Sequence, residues 1–122
     1  MAFTKTTLGT YFGSIIVSDT AAGAVGQDNV TGAASTIHSI EVDNTANSST
    51  TVYFKVYDAA NPTIGTDAPD YTFPVPGGTK LAFTTGDGLV FSTAISYACV
   101  TGKDVANTSA PASSVPILII AV

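Results

Sequence analysis

Tryptophan and arginine are absent from this chain, and cysteine, histidine and glutamate each occur once. Charged residues make up 11% of the sequence, against about 25% in an average soluble domain. The basic residues are Lys5, Lys55, Lys80 and Lys103, set against nine acids for a net charge of −5. Four scattered cations cannot neutralise a phosphate backbone, which excludes nucleic acid as a partner. Cys99 has no second cysteine to pair with, so there is no disulfide framework. One cysteine and one histidine leave almost no route to a zinc site. Long apolar runs are missing too. Ile15-Ile16-Val17 and the stretch from Val115 to Val122 fall far short of the roughly 20 residues a spanning helix needs. No membrane segment is expected, and no apolar core of a signal peptide follows Lys5. The expectation is a soluble chain made in a bacterial cytoplasm.

What is present is hydrophobic and β-forming. The 122 residues suit one domain with a single core, and 45% of them are hydrophobic. That excludes disorder, which needs low hydrophobicity and high charge. Thr, Val, Ile, Tyr and Phe favour a pleated, half-buried surface. Short apolar runs between Gly, Pro, Asn and Asp clusters predict strands over Tyr11–Val17, Thr36–Asp43, Thr50–Asp58, Asp70–Val75, Thr79–Thr84, Leu89–Ser92, Ile95–Thr101 and Val115–Val122. From Val52 to Tyr57 the alternation is unbroken, with Val52, Phe54 and Val56 on one face and Tyr53, Lys55 and Tyr57 on the other. The polar connection from Asn44 to Ser49 predicts a hairpin between the second and third strands. Ile95–Thr101 is apolar on both faces and reads as a central strand covered on both sides. Ser18–Thr31, Ala59–Pro69 and Gly102–Ser114 read as loops, and Pro76-Gly77-Gly78 and Gly86-Asp87-Gly88 as tight turns. The expected fold is all-β: one antiparallel β-sandwich over residues 1–122, of jelly-roll or Greek-key type. Its expected core holds Val52, Phe54, Val56, Leu81, Phe83, Leu89, Phe91, Ile95, Tyr97 and Ile117.

The chemistry-bearing residues are sparse. His38 stands between Ile37 and Ser39 in a predicted strand. No G-x-S-x-G or other nucleophile signature accompanies it, so an ordinary strand histidine is expected. Eight aspartates lie at predicted loops or strand ends, and Asp67 with Asp70 is the closest pair. Without a D-x-D-x-D-G run they read as turn caps rather than calcium ligands. Gly77-Gly78-Thr79-Lys80 lacks the phosphate-loop spacing. Cys99, inside an apolar run, reads as a small buried hydrophobe. No catalytic residue, cofactor or metal is expected. The candidate partner-contact residues are aromatic and aliphatic: Phe3, Leu8, Tyr11 and Phe12 in an N-terminal segment, and Tyr53 and Tyr57 on the outward face of their strand. Residues 1–13 are expected to form an extended arm across a neighbour; the alternative is a first strand packed on its own domain.

The stretches Val52–Asp58, Pro62–Pro69, Thr72–Gly78 and Gly88–Thr93 together resemble a small β-rich module that recurs among structural proteins of tailed bacteriophages. The shared features are a tyrosine-lysine-aliphatic-tyrosine-aspartate strand, a P-T-x-G-T-D-x-P loop, a proline-rich strand and a glycine-aliphatic-x-phenylalanine-serine turn. The resemblance covers about half the chain and implies a virion structural component, not an enzyme. The reading it supports is a decoration (cement) protein, bound to the outer surface of an assembled capsid as a homotrimer or other small homo-oligomer and bridging major capsid protein subunits. The alternative is a tail, baseplate or fibre component with carbohydrate recognition through exposed Tyr and Asp.

Overall fold

Alternating apolar residues interrupted by proline, glycine and asparagine leave this chain little choice but strands. The computed structural model describes residues 3–7 and 14–122. It has eight strands, all antiparallel, and no helix among the described residues: β1 (Phe3–Thr7), β2 (Ile15–Ala22), β3 (Ser35–Asp43), β4 (Val52–Tyr57), β5 (Tyr71–Val75), β6 (Lys80–Phe91), β7 (Ser96–Val100) and β8 (Val115–Ala121). One sheet has five strands in the order β1-β2-β8-β3-β6, the other three in the order β5-β4-β7. The segment from Gly23 to Val30 runs beside β7. Gln27 and Tyr97 exchange main-chain hydrogen bonds, Cys99 N–H donates to Gly23 O, and Val30 N–H donates to Ile95 O.

The register places the core between the sheets. Across the five-stranded sheet, Phe3, Asp19, Ile117, Val42 and Leu81 form one inward row; Lys5, Val17, Ile119, Ile40 and Phe83 form the next. Opposite them, Phe73, Phe54 and Cys99 lie level, as do Tyr71, Val56 and Tyr97. Ring contacts join the layers, with Phe73 and Phe83 centroids 4.8 Å apart and Tyr71 and Phe91 5.7 Å apart. Every residue of the expected core is buried or packs against it. Burying each such large side chain contributes about 1.5–3 kcal/mol.

Three expectations need correction. β3 and β4 do not form a hairpin, because they lie in different sheets. Asn44, fully buried, fixes the crossover: its Nδ2 donates to Thr50 O at 2.8 Å and to Val75 O at 3.0 Å, and Asn47 Nδ2 donates to its Oδ1 at 2.9 Å. This clamp leaves no room at Gly77, where a Cβ would come within 2.6 Å of Thr50 N and 2.8 Å of Asn47 O. Second, Gly86-Asp87-Gly88 is not a turn between two strands. Both halves of β6 pair with β3, Ile37 with Leu89 and Ser39 with Thr84, and the residues between bulge outward. Gly88 sits at φ +83, and a side chain there would collide with Thr36. Third, the strand expected over Tyr11–Val17 runs over Ile15–Ala22 instead, so Ser18–Ala22 are not loop. Small residues hid the alternation in which Val17 and Asp19 point inward. In the N-terminal segment, Phe3–Thr7 is a strand hydrogen-bonded to the chain's own β2. β7 is buried on both faces as expected, although its outer neighbour is the irregular Gly23–Val30 segment rather than a regular strand.

Candidate interaction surface

Several of the titratable residues hold turns and layers. Asp58 accepts from Thr93 N at 2.8 Å, Ser92 N at 3.1 Å and Ala94 N at 3.3 Å. These bonds, that from Thr93 first, hold its carboxyl below the usual range. Asp67 accepts from Thr63 N and Asp70 from Asp58 N, so the closest pair of aspartates in the sequence caps its own loop. Asp43 accepts from the hydroxyl and the amide of Thr45, which lower its pKa. His38 is half-buried in β3, opposite the β6 bulge. Burial pushes the Cys99 thiol up to about 12, leaving it no reactive thiolate near neutrality. No group of three His, Cys, Asp or Glu side chains suited to a metal ion occurs among the described residues.

One charged group lies in the core, and sequence reasoning placed it in a loop. Asp19 is 1% exposed and sits in an inward row of β2. Tyr97 reaches across from the opposite sheet and donates its hydroxyl to Asp19 Oδ2 at 2.7 Å; Ala21 N–H donates to Oδ1 at 2.9 Å. Burial and this carboxylate raise the Tyr97 pKa. The pair ties one sheet to the other.

The two outer faces of the sandwich differ sharply. On the three-stranded sheet, Tyr53, Lys55 and Tyr57 do point away from the core, but Lys55 has no exposed surface and Tyr57 is 1% exposed. The segments 59–70 and 101–114 cover them. Lys55 Nζ donates to Asp104 O at 2.6 Å, Ser96 Oγ donates to Ala59 O at 2.6 Å, and Gly65 packs against Thr108. Burial lowers the Lys55 pKa, with the charge of Asp104 opposing, and raises that of Tyr57. The exposed aromatic face expected from Tyr53 and Tyr57 is therefore corrected: Tyr57 is inside and Tyr53 half-buried. Alternation alone cannot reveal that a loop returns over a face.

The outer face of the five-stranded sheet is open. Two rows cross all five strands: Thr4, Ser18, Leu118, Glu41 and Ala82, then Thr6, Ile16, Ile120, Ser39 and Thr84. Each of these residues is exposed or half-buried. Leu118 lies at the centre, and Glu41 is the one charged member of the two rows. Charge gathers at one end, where Lys80 and Glu41 pair at 3.3 Å beside Asp43. There a shallow depression of about 250 Å³ is lined by Ser18, Glu41, Asp43, Pro116 and Leu118 among others. With strands about 4.8 Å apart, the face is roughly 24 Å wide.

The sheet edges do not invite strand addition. β1 carries Lys5 at its middle, β6 is bulged, β5 contains Pro74, and the Gly23–Val30 segment is irregular. Each is a known way of blunting an edge. Of the partner-contact residues expected from sequence, Phe3 packs against the core from β1, while Leu8, Tyr11 and Phe12 lie outside the described residues. Ile16, Leu118 and Ile120 were missed; the signal available was the alternation of β8, in which Pro116, Leu118 and Ile120 face opposite to the buried Ile117 and Ile119. No protein-family model, curated protein or solved structure matches the chain.

Proposed function

We propose that this chain is a virion structural protein that decorates the outer surface of an assembled bacteriophage capsid and stabilises the shell by bridging major capsid protein subunits. The observation that carries the reading is the contrast between the two outer faces: one sealed by the chain's own loops, the other open, broad and almost uncharged. Threonine, serine and aliphatic side chains can be dried on contact without stranding charges, whose desolvation is costly. The resemblance of Val52–Thr93 to phage structural modules points the same way. A protein that binds only the assembled lattice stabilises that state by its binding free energy, repeated at every site. The chain is not an enzyme in this reading, and it acts at the capsid surface.

The fold is proposed to be a jelly roll. Counting Gly23–Val30 as a reduced strand, the sheets run β2-β8-β3-β6 and Gly23–Val30, β7, β4, β5, with β1 added at the edge. Apart from the paired β4 and β5, successive elements from β2 onward then pass from sheet to sheet in the order of two nested Greek keys. A homotrimer on the capsid, with β1 as the arm exchanged or laid between copies, completes the proposal; four of the five β1 residues are exposed.

Co-sedimentation with purified shells lacking the chain tests the function. Saturable binding at hundreds of copies per particle, with raised heat resistance of the shells, is the expected result. A dozen copies or fewer per virion would instead mark a tail or fibre component, and no binding would refute the proposal.

A further inference from the structure

Resting on that reading, we infer that the chain docks face-down through the outer surface of its five-stranded sheet. The surface it meets has an uncharged centre and presents lysine or arginine at the rim opposite Glu41 and Asp43. The size fits: a face of about 24 Å by 20 Å can supply the core of an interface that buries about 800 Å² on each partner. The charge fits a different protein rather than a second copy of this chain. At the rim one lysine, Lys80, stands against two carboxylates, Glu41 and Asp43, and is already paired with Glu41. A second copy docked through the same face brings the same rim, with carboxylates in excess over lysine, and so opposes like charge to like. The cations must come from the partner.

The geometry divides the face into an anchor and a rim. Leu118, third of five residues in its row and flanked by Ser18 and Glu41, is where water is most completely excluded on docking. Such central positions dominate binding, while rim charges set rate and salt dependence. The loop-covered side, with Lys103 and Val105 exposed, faces outward from the shell.

The test is co-sedimentation of the full chain with shells stripped of it, over a salt series, for the wild type, Leu118→Asp, Glu41→Gln and Val105→Asp. Thermal melts by circular dichroism establish that each variant is folded. Leu118→Asp should weaken binding at least about thirty-fold. Glu41→Gln should weaken it about two- to five-fold and flatten its salt dependence, and Val105→Asp should bind as the wild type does. If Leu118→Asp fails to fold, the Glu41→Gln salt dependence and the Val105→Asp control still decide the question. Wild-type binding that survives Leu118→Asp, or is lost with Val105→Asp, overturns the face assignment while leaving the decoration role intact. Absence of wild-type binding overturns both. A wild-type oligomer that Leu118→Asp converts to monomer in light scattering also overturns it, because the face would then be a contact between copies.

Discussion

Tyr97→Phe is the sharpest probe of how the sandwich is joined. The substitution keeps the ring that packs 5.2 Å from Phe54 and removes only the hydroxyl that donates to Asp19 Oδ2. Both residues are 1% exposed, so water cannot replace the lost donor. A hydrogen bond to a charged group contributes about 1.5–3 kcal/mol, and about 2 kcal/mol is expected here. With an unfolding entropy near 2.1 cal/mol/K per residue, that corresponds to a fall in Tm of about 8 °C for a chain of this length. Thermal and urea unfolding followed by circular dichroism would measure it. On an Asp19→Leu background the same substitution should cost nothing or stabilise, since no carboxylate remains to be stranded and the buried hydroxyl it removes has lost its acceptor. A drop of less than about 2 °C in the wild-type background, or equal losses in both, would refute the role given to this bond.

Gly77→Ala should destabilise by more than about 2 kcal/mol, because the added Cβ meets main chain rather than a movable side chain. Gly23→Ala, with nothing within 4 Å of its new Cβ, is the control and should unfold near the wild-type midpoint. Alkaline pH should weaken the fold. Tyr97, Tyr57 and Cys99 all titrate higher when folded, so the unfolded chain gives up these protons first. Their contribution is whole below about pH 9 and is lost as pH rises above it. Lys55 has the opposite sign: its lowered pKa means that stability gains as pH rises through that value toward about 10.5. Lys55→Met should remove this opposing term and stay within about 1 kcal/mol of wild type at pH 7, whereas Lys55→Ala should be worse through the cavity it leaves; urea melts across pH 7 to 11 would show both.

The strands most visible in the sequence were those whose two faces differ in polarity. Val52–Tyr57 stands where its alternation put it, and Val115–Ala121, apolar on both faces, where its apolar run put it. β2 was misread because Ser18, Asp19, Thr20, Ala21 and Ala22 carry little hydrophobic contrast, and because a buried aspartate looks like a loop residue until Tyr97 is brought to it. Partnering of strands was less legible than their existence. The polar run after Asp43 suits a hairpin as well as a crossover between sheets, and only Asn44, bonding to three distant carbonyls, decides for the latter. The candidate surface was half legible. The low charge pointed to the contact role proposed here, yet which face is open depends on where residues 59–70 and 101–114 lie, and loop placement leaves no periodic trace.

The most direct measurement is electron cryomicroscopy of shells saturated with the chain. The account predicts density for a two-layered β domain on the outer surface, its five-stranded sheet against the shell with Leu118 at the contact and the segment 102–114 turned to solvent. A domain seated on its loop-covered side, or bare shells at saturating protein, would contradict it.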